Sequence, residues 1–205
     1  MKKMWDDRYA EDGFAYGSEP NVYFKECIDT IELKKSILLP AEGEGRNAVY
    51  AASVGWDVTA FDISSEGREK AIQLAEVNEV EITYYVKDFE EIYFNRAFDC
   101  VAFIYTHFTT EKKYLFFDKM LDALKPGGWV IFECFSVNNL SFRDKNPKIG
   151  GPENPNMLYS IVELQTIFMG YKIINLTENL VTLNEGKYHN GEGCVIRLFA
   201  QKPHL

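Results

Sequence analysis

A glycine-rich turn between a predicted strand and a predicted helix constrains this chain most. Ser36–Leu39 is a short apolar run, and Glu42 and Gly43 follow it before a helix predicted over Gly45–Ser53. Glycine lacks a Cβ, so a strand followed by Gly-x-Gly at a helix start lets the backbone approach a nucleotide-like ligand closely. The pattern predicts a cofactor-binding α/β domain.

A second apolar run ends in an acid about twenty residues later, at the spacing expected for a residue that contacts a ribose. The predicted strand is Asp57–Asp62. A carboxylate at its tip suits a ribose diol. The alternative is that Asp62 caps the helix predicted over Ser64–Asn78. We favour the ribose role.

Strands alternate with helices along the rest of the chain, which implies parallel βαβ units. The further predicted strands are Ile82–Val86, Phe98–Ile104, Trp129–Phe135, Tyr171–Leu183 and Cys194–Gln201. The further predicted helices are one that starts at Glu19-Pro20, one over Thr109–Leu124 and one over Ser160–Met169. Lys125–Gly128 is predicted as a turn that ends the second of these helices. The connector between the last two strands is rich in glycine and holds no helix, so this pair should be an antiparallel hairpin. The predicted fold is a Rossmann-like three-layer α/β sandwich with a mostly parallel seven-stranded sheet and a C-terminal antiparallel hairpin.

Length and charge narrow the classes of function. The 205 residues fit one domain, and the formal net charge is −9. An acidic surface argues against non-specific binding to nucleic acid or to an anionic membrane. No apolar run is long enough to span a bilayer, and the N-terminus has no apolar signal segment, so we expect a cytoplasmic protein.

Cysteine and histidine usage predicts neither a disulfide framework nor a metal centre. The four cysteines lie in apolar patterns without Cys-x-x-Cys spacing, which indicates buried thiols in a reducing compartment. They are Cys27, Cys100, Cys134 and Cys194. The three histidines are scattered and show no metal-ligand spacing.

Two segments are predicted to cover the site. Residues 1–35 form an N-terminal arm and helix with the aromatic residues Trp5, Tyr9 and Tyr16. Residues 137–159 are rich in asparagine, glycine and proline, which is typical of a surface loop and predicts a lid.

The glycine motif has two interpretations. Gly43-x-Gly45-x-x-Ala48 with Asp62 satisfies the dinucleotide fingerprint and allows an NAD(P)-dependent oxidoreductase. Three features favour another cofactor: Glu42 before the first glycine, the aromatic arm ahead of the motif, and the final hairpin. Both interpretations remain open at this point.

The chain resembles class I S-adenosylmethionine-dependent methyltransferases. The motifs that carry this resemblance cover most of residues 36–136, and they are Ala41–Asn47, Val58–Asp62, Lys87–Phe89, Phe98-Asp99 and Leu124–Gly128. Within that class it resembles the branch of tellurite-resistance and thiopurine methyltransferase-like proteins. Gly45-Arg46-Asn47, the segment from Trp5 to Asn21, and the tail starting at Val195 carry the closer likeness.

The resemblance implies S-adenosylmethionine as cofactor and assigns residues to its methionine part. The backbone of Gly43 and Gly45 would lie against it, and Glu42 would orient its ammonium group. The alternative for Glu42 is a solvated turn carboxylate. Asn47 replaces the third glycine of the usual pattern.

The same resemblance assigns residues to the adenosine. Asp62 would accept both ribose hydroxyls, and Ile63 would flank the adenine. Asp88 would accept the adenine amino group, with Phe89 beside the ring. The alternative for Asp88 is an ordinary loop cap.

Tyr105 and His107 lie at the end of the fourth strand, at the sheet edge that collects ligands. We expect Tyr105 to contact the cofactor. His107 would act as a base or line the pocket. Tyr16, with Trp5 and Tyr9, would cover the site and meet the sulfonium with its ring face. The alternative is that the arm simply packs on the core. A soft acceptor such as a thiol or a metalloid anion needs no base, whereas an oxygen or nitrogen acceptor can require one.

The sequence therefore predicts a methyltransferase that acts on a small-molecule acceptor. A partner nucleic acid is not expected, because no basic patch is present. Two alternatives remain: the oxidoreductase and a non-catalytic S-adenosylmethionine-binding protein.

Overall fold

One seven-stranded sheet organises the protein, whose computed structural model describes residues 1–204. The strand order is β3-β2-β1-β4-β5-β7-β6. The strands are β1 (Ser36–Pro40), β2 (Asp57–Asp62), β3 (Thr83–Val86), β4 (Phe98–Ile104), β5 (Leu124–Phe135), β6 (Lys172–Glu185) and β7 (His189–Gln201).

The direction of the strands confirms the predicted sheet. The pairs among β1 to β5 are parallel, and β7 runs antiparallel to both β5 and β6. The chain leaves β1 toward β2 and β3 and then returns to β4 on the other side of β1. In open α/β sheets, the crevice at such a reversal lies at the carboxyl ends of the strands and is the usual ligand site.

Helices cover both faces of the sheet and complete the three layers. The helices are α1 (Lys2–Tyr9), α2 (Val22–Thr30), α3 (Arg46–Ser53), α4 (Ser65–Val77), α5 (Thr110–Asp122), α6 (Leu140–Arg143) and α7 (Ile161–Ile167). Phe24 of α2 and Ala48 of α3 pack in one core with Ile37 of β1. Phe116 of α5 and Leu164 of α7 pack in the other core with Leu38. Neighbouring residues of β1 thus enter opposite cores, as a strand buried on both faces requires.

The N-terminal region differs from the prediction in two ways. Residues 2–9 form α1, which was predicted only as part of an arm. Helix α2 begins after Asn21, whose side chain accepts a hydrogen bond from the backbone N–H of Phe24 at 2.9 Å. Pro20 therefore lies outside the helix, because asparagine provides the N-cap that proline cannot.

Lys125–Gly128 lies within β5, and its prediction as a turn was wrong. The register shifts between Phe98 and Cys100 of β4, so this part of β5 is irregular. Gly127 has φ +73°, and the backbone N–H of Lys202 donates to Gly128 O at 2.8 Å. The chain beyond β7 therefore pairs with this segment and keeps it extended.

The C-terminal hairpin is longer than predicted. We expected strands ending at Leu183 and resuming at Cys194, but β6 continues to Glu185 and β7 begins at His189. The glycines of β7 look like loop residues in the sequence. A Cβ on Gly191 would lie 2.6 Å from Asn146 Nδ2, and one on Gly193 would lie 3.0 Å from Ile149 Cγ2. These glycines occupy a strand because the 137–159 segment packs directly against it.

The 137–159 segment is built from short helical pieces and is held at its end by a buried lysine. Besides α6, it contains single turns at Val137–Asn139, Pro147–Ile149 and Pro155–Met157. Lys113 Nζ donates to Leu158 O at 2.8 Å and to Glu163 Oε1 at 2.9 Å. Its role as a lid stays a prediction.

The four cysteine side chains are buried and free, as their patterns predict. Within residues 1–204, no helix combines the length and apolar character that crossing a membrane requires.

Candidate functional site

A cavity of about 660 Å³ lies at the carboxyl ends of the central strands. Glu42 follows β1, Asp62 ends β2, Asp88 follows β3 and Tyr105 follows β4, and all four line the cavity. Three carboxylates and a tyrosine therefore converge at the crevice that the strand order creates.

The structure brings nine of the eleven predicted site residues to this cavity. They are Tyr16, Glu42, Asn47, Asp62, Ile63, Asp88, Phe89, Tyr105 and His107. Gly43 and Gly45 do not line it.

The two glycines instead allow close packing behind the cavity. A Cβ on Gly43 would lie 2.5 Å from the hydroxyl oxygen of Tyr9. A Cβ on Gly45 would lie 2.5 Å from Ala71 Cβ, and its φ is +84°. Gly45 thus lets α4 approach the start of α3, and contact of either glycine with a ligand stays a prediction.

Glu42 caps α3 from within the turn and also faces the cavity. Its Oε1 accepts hydrogen bonds from the backbone N–H groups of Asn47 and Ala48, both at 2.8 Å. Burial raises the pKa of Glu42 to about 7, although these hydrogen bonds oppose the shift. A cation next to this carboxylate would favour its ionised form.

Asp62 joins the ends of the first two strands. Its Oδ2 accepts from the backbone N–H of Gly43 at 3.1 Å, and its Oδ1 accepts from that of Ser64 at 2.9 Å. Burial raises the pKa of Asp62 to about 6. The alternative role as a cap of α4 falls to Ser64, whose hydroxyl accepts from the N–H of Gly67 at 3.1 Å.

Phe89 and Asp88 form the side of the cavity next to β3. The Phe89 ring is buried and meets Phe108 and Phe116 edge to face, with centroids 5.0 and 5.4 Å away. Asp88 Oδ1 accepts from the backbone N–H of Glu90 at 3.0 Å. A rigid aromatic ring and a carboxylate therefore stand side by side there.

Two non-glycine residues that line the cavity have a left-handed backbone conformation. Ala41 follows β1 and Tyr105 follows β4, and both have φ +52°. Left-handed backbone costs energy in such residues, and it concentrates at functional sites. The Tyr105 hydroxyl donates to Glu133 Oε1 at 3.1 Å, which fixes its ring at the wall.

Both ring nitrogens of His107 are engaged by backbone groups. Nδ1 lies 2.9 Å from Met157 O, and Nε2 accepts from the backbone N–H of Phe135 at 3.5 Å. Burial lowers the pKa of His107 to about 3, so the ring is neutral at physiological pH. These contacts attach the 137–159 segment to β5. The predicted role of His107 as a base stays a prediction.

Sequence reasoning missed His189 and its carboxylate partner. His189 lines the cavity, and its Nδ1 lies 3.0 Å from Glu185 Oε2. Arg46 Nη2 donates to the same oxygen at 3.0 Å. Although burial raises the pKa of Glu185, the hydrogen bond from His189 and the charge of Arg46 bring it down to about 2. The sequence signal that could have found them is the spacing of Glu185 and His189, which flank a three-residue turn that starts with glycine. In the hairpin predicted from the sequence, both residues lie inside the loop.

A second buried ionic cluster holds Tyr105 and the start of α2 in place. Glu133 Oε1 accepts from Asn21 Nδ2 at 2.6 Å and from the Tyr105 hydroxyl. Arg197 Nε donates to Glu133 Oε2 at 2.6 Å. The buried carboxylate is therefore paired and fully hydrogen-bonded, as its burial requires.

The arm lines one side of the cavity, and its attachments include one to the start of α4 and one to the hairpin turn. Asp6 of α1 accepts from the Ser64 hydroxyl at 2.6 Å and from the Ser65 N–H at 3.1 Å, at the start of α4. The backbone N–H of Lys187, in the hairpin turn, donates to Ala15 O at 2.8 Å. Arm residues on the cavity wall are Met1, Met4, Trp5, Arg8, Tyr9 and Tyr16.

Two other possible sites have less chemistry to offer. A cavity of about 520 Å³ lies at the amino ends of the strands, where Lys125 and Asp99 are paired with each other at 2.8 Å. In the part of the chain described, residues 1–204, no group of three or more histidine, cysteine, aspartate or glutamate side chains is arranged to hold a metal ion.

Comparison with known proteins agrees with this geometry. Residues 37–128 match a family model described as a methyltransferase domain. These residues include all of β1 except Ser36, and they include Glu42, Asp62, Asp88 and Tyr105. A search among curated proteins gave no match.

Solved structures share the fold over nearly the whole chain. One of them comes from work on the conversion of a disulfide bond into a thioacetal group during echinomycin biosynthesis. It has TM-score 0.78 and 16% identity, and the match covers 99% of this chain and 92% of that one. TehB from Haemophilus influenzae has TM-score 0.71 and 15% identity, covering 98% and 66%.

A third similar structure was solved with a bound product of methyl transfer. The N-methyltransferase NodS from Bradyrhizobium japonicum WM9, in complex with S-adenosyl-L-homocysteine, has TM-score 0.70 and 12% identity, covering 99% of this chain and 98% of that one. Residues 37–128, a little under half of the chain, thus match a methyltransferase domain model, and nearly the whole chain shares its fold with the methyltransferase NodS.

Proposed function

We propose that this protein transfers a methyl group from S-adenosylmethionine to a small-molecule acceptor. The observation that carries the proposal is the placement of Glu42 and Asp62, a partly buried and a buried carboxylate that line one cavity at the ends of β1 and β2. Both belong to the segment that matches the methyltransferase model.

The chemistry of the cavity wall fits the cofactor. Glu42 would hold the ammonium group and Asp62 the ribose hydroxyls, since each carboxylate oxygen can accept more than one hydrogen bond. Ile63 and Phe89 offer an apolar slot for the adenine, and Asp88 offers an acceptor for its amino group. The aromatic rings across the cavity suit a sulfonium, because ring faces attract cations.

The protein's own contribution is alignment and exclusion of water. When bound, S-adenosylmethionine supplies an electrophilic methyl group. The fixed ring of Tyr105 and the arm that lies over the cavity would hold the acceptor in line and keep water away.

Enclosure of the cavity supports a small acceptor. The arm covers it from one side, and Gly151, Asn154 and Met157 of the 137–159 segment line it from another. The net charge of −9 gives no support to a nucleic-acid acceptor. Membership of the tellurite-resistance and thiopurine branch is part of the same proposal, and the fold shared with TehB supports it.

Calorimetric titration with S-adenosylmethionine, S-adenosylhomocysteine and NADH tests the cofactor. We expect both adenosyl ligands to bind and NADH not to bind. Binding of NADH alone would refute the proposal in favour of an oxidoreductase. Binding of the adenosyl ligands without methyl transfer to any of a panel of thiols, phenols and amines would favour a non-catalytic binding protein.

A matched pair of variants tests the assignment of Asp62. Asp62→Ala should weaken S-adenosylhomocysteine binding by roughly 1–3 kcal/mol, because the ribose loses a charged partner. Asp57→Ala is the control, since Asp57 lies at the opposite end of β2 and pairs with Arg96 at 2.5 Å. Unchanged affinity in folded Asp62→Ala would remove the ribose assignment.

A further inference from the structure

His189 is a buried histidine enclosed by aromatic rings on the cavity wall. It is 5% exposed, and the ring centroids of Tyr16, Tyr105 and Phe135 lie 4.4, 4.5 and 5.2 Å from its own. The site residues Tyr16 and Tyr105 thus hold the imidazole between them. A ring held on three sides has a fixed orientation in the cavity wall.

The two nitrogens of His189 differ in their surroundings. Nδ1 is bonded to Glu185, whereas no polar atom of residues 1–204 forms a hydrogen bond with Nε2. Gly150 makes room for this edge of the ring: a Cβ there would lie 2.7 Å from Cδ2 and 3.1 Å from Nε2. His107 differs, since backbone groups engage both of its nitrogens.

A carboxylate on Nδ1 sets the tautomer of the imidazole. The ionised Glu185 accepts the Nδ1 proton, which leaves the Nε2 lone pair as the basic site. The charged and titratable groups around the ring come from five elements: Arg8 on α1, Tyr16 after it, Arg46 on α3, Tyr105 after β4 and Glu185 on β6. Burial lowers the pKa of His189, and the charges of Arg46 and Arg8 lower it further, whereas Glu185 opposes the shift. The imidazole is therefore neutral near pH 7.

We propose that His189 is the general base for an acceptor whose reacting oxygen, nitrogen or sulfur carries a dissociable proton, and that Glu185 positions it. This inference rests on the proposed methyltransferase function. It extends that function by naming the chemical class of acceptor and the group that takes its proton.

The step balances in atoms and charge. The acceptor's bond to hydrogen breaks, and the proton goes to Nε2 of His189. The freed electron pair forms a bond from the acceptor atom to the methyl carbon, while the bond between that carbon and sulfur breaks and its pair stays on sulfur. One positive charge leaves sulfur and one appears on the imidazolium, where Glu185 stabilises it.

Nitrogen NMR of the histidine rings tests the proposal without an acceptor. The probe is the full-length protein labelled with ¹⁵N histidine and saturated with S-adenosylhomocysteine, with ring signals assigned through His107→Gln and His204→Gln. We expect His189 at pH 7 to carry its proton on Nδ1, with Nε2 unprotonated. A proton on Nε2 at pH 7 would overturn the proposal by itself.

The Glu185→Gln variant separates positioning from structure. Loss of the carboxylate should lower the pKa of His189 in the same NMR titration, because the imidazolium loses its anionic partner. Rescue by Glu185→Asp would show that the charge matters. An unchanged His189 pKa in folded Glu185→Gln would overturn the role assigned to Glu185.

Methyl transfer to two phenols adds a kinetic test. Phenol is protonated at neutral pH and needs a base, whereas pentafluorophenol is ionised and does not. His189→Gln should lower kcat for phenol by about 10²–10⁴-fold, the usual size of general-base catalysis, and change the rate with pentafluorophenol little. Equal losses with both phenols would overturn the proposal, and the NMR result decides it if neither phenol is methylated.

The controls keep two failures apart. His204→Gln should match wild type in every assay, because His204 is exposed and lies against Gly127, at the opposite end of β5 from the cavity. If wild type binds no S-adenosylhomocysteine, the proposed function fails. If wild type and His189→Gln bind it equally and methylate phenol equally, only the inference about His189 fails.

Discussion

Gly45→Ala should destabilise the protein more than an equivalent change at an open glycine. Gly45 has φ +84°, and a left-handed conformation costs a residue with a Cβ roughly 1–2 kcal/mol. The new Cβ would also lie 2.5 Å from Ala71 Cβ and 2.8 Å from Ala71 Cα. Forcing α4 away from α3 resembles overpacking of a core, which costs about 1–3 kcal/mol.

The two costs together predict a loss of about 2–5 kcal/mol in the free energy of unfolding. Gly55→Ala is the matched control. Gly55 has φ +97°, and a Cβ there would meet nothing within 4 Å. Only the conformational cost remains, about 1–2 kcal/mol.

Urea unfolding of the three proteins measures the difference through the midpoint at a constant slope. The reasoning is refuted if Gly45→Ala loses no more stability than Gly55→Ala. The close approach of α4 would then not explain why glycine stands at position 45. The same Gly45→Ala sample, while folded, can be titrated with S-adenosylhomocysteine. Since Gly45 does not line the cavity, we expect its affinity to fall much less than that of Asp62→Ala.

Three further predictions follow from buried charges and from His107. Lys113→Met should lose about 3–5 kcal/mol of unfolding free energy, because it breaks the partly buried ion pair with Glu163. Lys112→Met is the control, since its exposed pair with Glu90 is worth less than about 1 kcal/mol. Equal losses of the two variants in urea unfolding would show that the reasoning is wrong. Burial raises the pKa of Glu42 to about 7 and that of Asp62 to about 6, so S-adenosylhomocysteine affinity measured by calorimetry should fall as the pH is lowered from 8 to 5 and both carboxylates protonate. The stability of the free protein should change in the opposite direction, because a carboxyl group whose pKa is raised on folding stabilises the fold at low pH and loses that contribution as pH rises through the raised pKa. An affinity independent of pH would count against both carboxylates as ligands. His107→Gln should lower Tm through loss of its bond to Met157 O and leave kcat within a few-fold, and a hundredfold fall in kcat with unchanged cofactor affinity would instead establish His107 as a base.

The central sheet and most of the cavity wall could be predicted because local sequence determines them. A strand such as β1 is apolar from Ile37 to Pro40 because both of its faces are buried. The acids at the ends of β1 and β2 then fall at the carboxyl edge wherever the strands are parallel. No long-range contact is needed to place Glu42, Asp62 or Asp88 there.

The parts that escaped prediction depend on contacts far apart in the chain. Gly191 and Gly193 read as a loop until the 137–159 segment packs against them, and this packing extends β7 to include His189. Helix α1 has short-range support from the pairs of Lys2 with Asp6 at 2.7 Å and Lys3 with Asp7 at 2.6 Å, but it owes its position to the start of α4. Neither contact leaves a periodic signal in the sequence.

The two attachments of the arm also set an order of folding. The arm precedes in the chain the elements that hold it: Asp6 binds the start of α4, and the carbonyl of Ala15 binds Lys187 in the hairpin turn. During synthesis the arm can therefore dock on α4 first, and its contact with the hairpin turn forms later, after the strands around β1 have been made. A nascent chain stalled before the hairpin should thus hold the arm against α4 but lack the part of the cavity wall that His189 supplies.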